Sequence, residues 1–293
     1  MSDPVCPRIT TAPKARGGRV ALILSTALAA ACASPGARIQ AMAERDGLGV
    51  ATVQGQAFRH LTVFKAGPTP GSDLLHVYID GDGMAWLRPD LPSPDPSPRT
   101  ALMFEAMRLD PGPALYLGRP CHFVGTTEPP CSPLQWTMRR YAPETVESLA
   151  AVLHDFLTSH PTYRRVVFFG HSGGGTLATL MAPRFAETVA IVTLAANLDV
   201  GAWTRLHGYS PLTGSLDPIH SPALPANWLQ WHLAGERDTA VPPSIVRSYA
   251  ERHPGAQVMP LAGYDHDCCW LDLWPALPQA VDAEVTIIPG AAP

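Results

Sequence analysis

The chain has 293 residues, of which 46% are hydrophobic, and its formal net charge is −4 at pH 7. This length and apolar content are enough for the core of one large domain of the size of an enzyme. The near balance of charge excludes the strongly basic surface that is typical of nucleic-acid binding.

The N-terminal segment, residues 1–31, has the order of a secretory signal peptide. Several basic residues precede the apolar run 20–31, which is rich in alanine. The run is too short to cross a bilayer as a helix. We therefore expect export and removal of this segment.

Cys32 stands at the end of the signal-like segment, after three alanines and before Ala33-Ser34-Pro35-Gly36. This context resembles a bacterial lipobox, in which the cysteine is lipidated and becomes the mature N-terminus. Ala29 occupies the place where leucine is usual, so plain cleavage after a small residue is the alternative. The expected location is the periplasm of a bacterium, or a membrane surface to which Cys32 anchors a lipoprotein.

Four further cysteines follow the exported N-terminus, in a compartment where disulfides form. Cys121 and Cys131 would close a short loop, and we predict a disulfide between them. A bond between the adjacent Cys268 and Cys269 would be strained, and we make no prediction for that pair. A zinc site is the alternative use of cysteines, but the spacing does not fit one.

Strands and helices alternate after a linker predicted over residues 32–49. The predicted strands are 61–66, 74–79, 114–117, 166–169, 188–194, 230–234 and 257–261. The predicted helices are 100–108, 143–157, 176–181 and 244–252. Such alternation indicates one α/β domain over residues 50–293, with a mostly parallel sheet flanked by helices. Loops that follow parallel strands lie along one edge of the sheet, where ligands bind.

A serine lies between the strand 166–169 and the helix 176–181, in the sequence Gly170-His171-Ser172-Gly173-Gly174. The pattern Gly-x-Ser-x-Gly is common by chance, but a buried strand before it and a helix after it make it specific. The turn would hold the serine in a strained backbone conformation, with the helix N-terminus directed at a developing oxyanion. Ser172 is therefore the candidate nucleophile, and an ordinary glycine turn is the alternative.

Two other polar residues follow later strands of the predicted sheet, Asp238 and His266. A serine hydroxyl is a weak nucleophile that needs a base, and histidine has a suitable pKa of about 6.5. A carboxylate beside that histidine would hold its tautomer and stabilise its cation. The chain order of Ser172, Asp238 and His266 is the order of an α/β-hydrolase triad.

Each partner of the serine has competitors nearby. Glu236 competes with Asp238, whose position four residues after Ala234 and before Val-Pro-Pro favours it. Asp265 and Asp267 flank the histidine but cannot easily orient its ring from the same turn. We also set aside His171, because adjacent residues on such a turn point apart.

These motifs together resemble the serine α/β-hydrolase superfamily over about residues 60–275. A second set of residues resembles a group of exported proteobacterial α/β-hydrolases: Cys121, Trp136, Arg139-Arg140-Tyr141, Asn197-Leu198-Asp199 and Trp203. The resemblance implies an α/β-hydrolase fold with a nucleophilic serine. We expect neither a cofactor nor a metal.

The resemblance also implies an oxyanion hole. In this superfamily the loop after an early strand supplies one N–H donor, often from a His-Gly-x sequence. Asp80-Gly81-Asp82 stands in that register, with aspartate in place of histidine. The implied donors are the backbone N–H groups of Asp82 and Gly173. A calcium loop is the alternative for Asp-Gly-Asp-Gly, but the rest of its ligand spacing is missing.

Residues 199–228 form a long connection that is rich in large apolar residues, and we predict a small cap over the site. The alternative is that these side chains pack onto the domain. The predicted function is a serine hydrolase, most simply a carboxylic ester hydrolase that forms an acyl-serine on short to medium acyl esters.

A peptidase or amidase, and a non-catalytic binding protein on the same fold, are the alternative functions. The expected partner is a small-molecule ester, with no nucleic acid. Membrane contact is expected only through a lipidated Cys32. The oligomeric state is left open.

Overall fold

The computed structural model describes residues 34–68, 71–126 and 129–287. Its strands are β1 (Gly49–Gln54), β2 (Arg59–Lys65), β3 (Leu74–Ile79), β4 (Trp86–Arg88), β5 (Leu91–Pro92), β6 (Ala114–Leu117), β7 (Arg165–His171), β8 (Thr188–Leu194), β9 (Leu229–Gly235) and β10 (Gln257–Leu261). Its α-helices are α1 (Pro35–Arg45), α2 (Leu102–Leu109), α3 (Pro133–Trp136), α4 (Pro143–Ser159), α5 (Gly173–Met181), α6 (Val200–His207), α7 (Pro243–Arg252) and α8 (Ala276–Ile287). Short 3-10 helices cover Ala182–Arg184, Pro218–His220 and Trp270–Leu273.

The central sheet has eight strands in the order β1-β2-β6-β3-β7-β8-β9-β10, and β4 pairs with β5 in a separate hairpin. The pairs β1–β2 and β2–β6 are antiparallel, and the other neighbours in the sheet are parallel. The prediction of a mostly parallel sheet flanked by helices is confirmed. The carboxyl ends of β3, β7, β8, β9 and β10 therefore meet along one edge, as parallel strands require.

Strand β7 contains the apolar run 166–169, in which apolar and polar residues do not alternate. Val167 and Phe169 face one core cluster, to which α1, α2 and α8 contribute. Val166 and Phe168 face a second cluster on the opposite side, to which α4 and α5 contribute. A strand that is buried on both faces needs apolar residues at every position, in contrast to a half-exposed strand.

The segment predicted as a linker differs from that prediction, because its described part contains helix α1. The hydroxyl of Ser34 accepts a hydrogen bond from the Ala37 N–H at 3.2 Å, and Pro35 occupies the first turn. Ile39 and Ala43, four residues apart, are buried against the core. The cap, the proline and this apolar pair outweigh the small-residue composition on which the linker prediction depended.

The structure joins Cys121 and Cys131 in a disulfide, the pair predicted from their spacing. It also joins Cys268 to Cys269, for which the sequence makes no prediction. Cys32 and the signal-like segment lie outside the described residues. Of the helices that the structure describes, none combines the length and the apolar character needed to span a membrane.

Residues 199–228 begin with α6 and continue as loop and one 3-10 turn. Their large apolar side chains divide into two groups. One group packs onto the domain, against the core cluster beside α4 and α5 or against a further small cluster beside α7: Leu212, Leu216, Ile219, Leu224 and Trp228. The other group includes the exposed Leu206 and Tyr209. For the first group, these contacts favour the alternative of packing onto the domain.

Candidate active site

Ser172 lies on a sharp turn between β7 and α5, with a φ of 51° and a ψ of −123°. A non-glycine residue adopts a positive φ only under constraint, and here the Ser172 N–H donates to the Leu194 carbonyl at 2.8 Å. A Cβ atom on Gly174 would lie 2.1 Å from the Ile79 carbonyl oxygen, and one on Gly170 would lie 2.5 Å from that of Gly174. Only glycine fits at these two positions, so the sequence pattern follows from the close approach of the backbone.

Asp238 follows β9 and is 3% exposed. Its Oδ1 accepts hydrogen bonds from the backbone N–H groups of Ala240 and Val241, both at 2.8 Å. These bonds fix the carboxylate and direct Oδ2 to the ring of His266, whose Nδ1 lies 2.8 Å away. Glu236 is exposed, so the nearby competitor does not reach the ring.

His266 lies in the loop after β10, between the other two predicted residues. Its Nε2 is 3.1 Å from Ser172 Oγ, while its Nδ1 contacts the Asp238 carboxylate. A carboxylate only accepts, so Nδ1 carries a proton and Nε2 is free to accept one in the neutral ring. The structure thus brings the three predicted residues into one continuous chain of hydrogen bonds.

The charges around His266 favour its protonated form. Burial lowers the pKa of His266, but the hydrogen bond and charge of Asp238 act in the opposite direction. The charges of Asp267 and Asp82 add to this effect, and the net result is a raised pKa. A base with this environment takes up a proton from a serine more readily than an isolated imidazole does.

Two side chains hold the backbone of the histidine loop. His171 Nε2 and Trp270 Nε1 both donate to the His266 carbonyl oxygen, at 2.8 and 3.0 Å. Burial, together with the charge of His266, lowers the pKa of His171 to about 4, which keeps its ring neutral. Its position next to the serine predicts only that His171 points away from Ser172, and the sequence contains no signal for this contact to the backbone of the base.

The residues that would supply the two predicted oxyanion donors, Asp82 and Gly173, are in contact beside Ser172. Gly173 begins α5, and the side chain of Asp82 lies against it: a Cβ atom on Gly173 would be 2.1 Å from Asp82 Oδ1. Among the hydrogen bonds of the described residues, neither the Gly173 N–H nor the Asp82 N–H has a protein acceptor.

The Asp82 carboxylate is bound by three side chains from the loop between β6 and α4. Oδ1 accepts from Arg119 Nη1 at 2.5 Å, and Oδ2 accepts from Arg140 Nη1 at 2.8 Å and from the Tyr141 hydroxyl at 2.6 Å. Burial raises the pKa of Asp82, but the two guanidinium charges outweigh it and hold that pKa well below its usual range. No sequence pattern predicts a role for Arg119, and Arg140 and Tyr141 stand out in the sequence only through the family resemblance.

Asp80, two residues earlier, has a different role. Its buried carboxylate accepts from the Met103 N–H at the start of α2 at 2.9 Å and from the Tyr116 hydroxyl at 2.8 Å. Burial raises its pKa to about 6. The two carboxylates of Asp-Gly-Asp thus bind protein donors on different elements, and no acidic or histidine cluster suited to a metal occurs in the described part of the chain.

Comparisons with known proteins support the fold and little beyond it. No protein-family model matches the sequence, and no curated protein matches it. Solved structures do match. One is an α/β serine hydrolase without lid from Xanthomonas campestris, with a TM-score of 0.54 and 14% identity over 84% of this chain and 97% of that one.

Two further structures have similar values. The Pyrococcus furiosus esterase Pf2001 has a TM-score of 0.53 and 13% identity, over 83% of this chain and 92% of its own. Est1E from Butyrivibrio proteoclasticus has a TM-score of 0.55 and 12% identity, over 81% of this chain and 99% of its own. The chain has the α/β-hydrolase fold. At such low identities the activity has to be argued from the site.

Proposed function

We propose that the protein is a serine hydrolase that cleaves carboxylic esters through an acyl-serine intermediate. The observation that carries this proposal is the chain of hydrogen bonds from Ser172 Oγ to His266 Nε2 and from His266 Nδ1 to Asp238. A serine on a strained turn, a base within reach of it and a buried carboxylate behind the base are what nucleophilic catalysis at neutral pH requires.

In the acylation step, Ser172 Oγ attacks the carbonyl carbon of the ester while His266 Nε2 takes the hydroxyl proton. Asp238 stabilises the imidazolium that forms. The carbonyl oxygen becomes an oxyanion, which the N–H groups of Gly173 and Asp82 would stabilise together with the N-terminus of α5. The imidazolium then donates its proton to the leaving alkoxide as the carbon–oxygen bond breaks.

Deacylation repeats these steps with water as the nucleophile. His266 takes a proton from the water, whose oxygen attacks the acyl carbon of the ester formed on Ser172. The second tetrahedral intermediate uses the same two N–H donors. Collapse of this intermediate returns the proton to Ser172 Oγ and releases the carboxylic acid, so all atoms and charges balance over the cycle.

Purified mature protein should be tested on a panel of p-nitrophenyl esters, thioesters and aminoacyl amides. We expect kcat/KM to be highest for simple esters and to fall by several powers of ten in Ser172→Ala. Amides that are turned over faster than matched esters would reassign the protein to the peptidase or amidase class. A folded protein that cleaves none of the panel and fails to react with a fluorophosphonate would be a binding protein on this fold.

The acyl-length preference is a narrower part of the proposal. Of the large side chains in residues 199–228, Trp203 and Tyr209 form an edge-to-face pair with ring centroids 5.2 Å apart. Trp203 Nε1 donates to the Ala240 carbonyl, two residues after Asp238, which brings this pair next to the acid loop. We expect short to medium acyl chains to be preferred and Trp203→Ala to change the profile over acyl length, with Leu206→Ala as a nearby exposed control. Identical acyl-length profiles in the wild type, Trp203→Ala and Leu206→Ala would show that the Trp203–Tyr209 pair does not line the substrate site.

Export and lipidation of Cys32 complete the proposal, and the disulfide between Cys121 and Cys131 supports an oxidising compartment. Metabolic labelling with a fatty-acid analogue should succeed in the wild type and fail in Cys32→Ser. Labelling that survives this substitution, or a mature chain that still begins at Met1, would contradict the proposal.

A further inference from the structure

The carboxylate of Asp82 lies beside Gly173, one of the two proposed oxyanion donors, and it is not a member of the triad. Its Oδ1 lies against the Cα of Gly173, so that a methyl group there would be only 2.1 Å away. A bare negative charge beside Gly173 would oppose an oxyanion that forms at the Gly173 N–H. The charge of Asp82 therefore has to be compensated by the side chains around it.

Those surroundings are two arginines and a tyrosine, and we refer to Asp82, Arg119, Arg140 and Tyr141 as the Asp82 clamp. Arg119 is 2% exposed, Arg140 is 5% exposed and Tyr141 is fully buried. Arg119 Nη2 also donates to the Arg140 carbonyl at 3.3 Å, and Arg140 Nε donates to the Thr137 carbonyl at 2.7 Å. The guanidinium groups are thus fixed by the backbone as well as by the carboxylate.

We infer that the Asp82 clamp is a positioning group for the proposed hydrolysis, with two effects. It holds the loop after β3 so that the N–H of Asp82 stays beside the N–H of Gly173. Its two guanidinium groups offset the charge of the Asp82 carboxylate, so that this charge does not stand alone next to the oxyanion position. The inference rests on the proposed function, because it assigns these residues a role in that reaction.

The charge of the clamp also reaches the base. The carboxylates of Asp238, Asp267 and Asp82 act on His266, and so does that of Asp265 on its own loop. The neutral ring of His171 also faces it, with the two ring centroids 5.0 Å apart. A change in the net charge of the clamp should therefore move the titration of His266. Loss of a merely structural contact would lower the rate without moving this titration in a charge-dependent direction.

Two more titratable groups border the clamp. His122 Nε2 lies 3.4 Å from the Asp82 carbonyl, and burial lowers the pKa of His122 to about 4, so it is neutral. Asp80 interacts with Arg119, and its pKa of about 6 lies close to the ordinary pKa of a histidine. The experiment therefore needs a signal that belongs to the His266 ring alone.

The test is the rate at which a fluorophosphonate inactivates the protein, measured over pH in the wild type, Asp82→Asn, Arg140→Met and the double variant. Inactivation joins Ser172 Oγ to phosphorus, expels fluoride and passes the serine proton to His266, so it needs no knowledge of the natural ester. The ring-proton NMR signals of His266, assigned with His266→Gln, separate its titration from that of Asp80.

The two single variants change the net charge of the Asp82 clamp in opposite directions. Arg140→Met removes a positive charge and should move the acidic limb of the profile to higher pH. Asp82→Asn removes a negative charge and should move the limb to lower pH. Each shift should be about half a pH unit, as expected for one charge at several ångströms in a partly solvated site. The double variant has the net charge of the wild type, and its limb should return to the wild-type position.

The maximal inactivation rate should fall by about tenfold in each single variant, less than the ~10²–10³-fold loss that follows removal of an oxyanion donor itself. Arg165→Met is the matched control. It breaks the ion pair of Arg165 with Asp73 at the opposite end of β7 and should change neither the limb nor the rate. If Asp82→Asn does not fold, Arg140→Lys replaces it, and its limb should stay at the wild-type position while that of Arg140→Met moves.

Acidic limbs that coincide in all folded variants, or that follow Asp80 and not the His266 ring, would overturn the inference and leave the proposed function intact. Shifts of the same sign in Asp82→Asn and Arg140→Met would also overturn it. A wild-type protein that is not labelled on Ser172 would instead refute the proposed function, so the two failures are distinguishable.

Discussion

Within the described part of the chain, two histidines have an Nδ1 that contacts a buried carboxylate, and they have different roles. His266 Nδ1 lies 2.8 Å from Asp238, and His76 Nδ1 lies 2.7 Å from Asp110. The pairs differ at the other ring nitrogen. His266 Nε2 faces the Ser172 hydroxyl, whereas His76 Nε2 faces a second carboxylate, that of Asp282, at 2.8 Å.

The second contact determines what each ring can do. His76 lies on β3 and is 1% exposed. Its two carboxylates connect the sheet to the end of α2 through Asp110 and to α8 through Asp282. Burial lowers the pKa of His76, but the charges and hydrogen bonds of Asp110 and Asp282 outweigh it and raise that pKa to about 9. His76 is thus a permanent cation at neutral pH, while His266 has one nitrogen free to exchange a proton with a hydroxyl. A histidine–carboxylate pair by itself is not evidence of catalysis.

The largest effect should follow loss of the nucleophile or the base. Ser172→Ala and His266→Ala should each reduce kcat by about 10⁴-fold or more, because neither can be replaced within the triad. The comparison predicts that His76→Gln retains kcat per folded molecule. Comparable losses of kcat in folded His76→Gln and His266→Ala would remove the distinction between the two rings.

Loss of the acid should have the next largest effect. Asp238→Asn should reduce kcat by up to about 10⁴-fold, since the amide favours the wrong tautomer of His266. Glu236→Gln is the matched control on the same loop and should change kcat little, because Glu236 is exposed. Near-normal turnover in Asp238→Asn together with an inactive Glu236→Gln would reassign the acid.

The contacts of His76 with its two carboxylates should contribute measurably to the free energy of unfolding. His76→Ala leaves the carboxylates of Asp110 and Asp282 without their cation and should cost about 3–5 kcal/mol of unfolding free energy. His266→Ala should cost less, because its ring is partly exposed and has one carboxylate partner. Urea denaturation of both variants gives the two values. An equal or larger loss in His266→Ala would contradict the structural role of His76.

The pH dependence of stability should sharpen the same contrast. The folded-state pKa of His76, about 9, is above its ordinary value of 6.5, so its contribution is fully present below pH 6.5 and is lost as pH rises to about 9. Over this window the unfolding free energy should fall by roughly 3 kcal/mol. The fall should become much smaller in His76→Gln, where only the raised pKa of His266 still contributes, and it should largely persist in His266→Ala. An unchanged fall in His76→Gln would assign it to another group.

The sequence allowed the prediction of the features that are local. Strand β7 is an uninterrupted apolar run because both faces are buried, and the glycines around Ser172 are required by the backbone there. Chain order placed Asp238 and His266 at neighbouring strand ends. These features needed only residue type, spacing and the rule that parallel strands end at one edge.

The features that escaped prediction depend on contacts between distant parts of the chain. Arg119 lies in an irregular segment without periodicity, and it meets Asp82 only because β6 and β3 are adjacent in the sheet. His76 and Asp282 are separated by 206 positions. Local geometry predicts only that His171 points away from Ser172, whereas the partner of its ring is a backbone carbonyl on another loop. Spacing along the sequence contains no signal for such pairs.

The most direct test of the central claim, that His266 activates Ser172, is peptide mapping of a fluorophosphonate adduct by mass spectrometry. We predict one adduct, on Ser172, in the wild type and in His76→Gln, and almost none in folded His266→Ala. An adduct on another residue, no adduct in the wild type, or equal labelling with and without the His266 ring would contradict the claim.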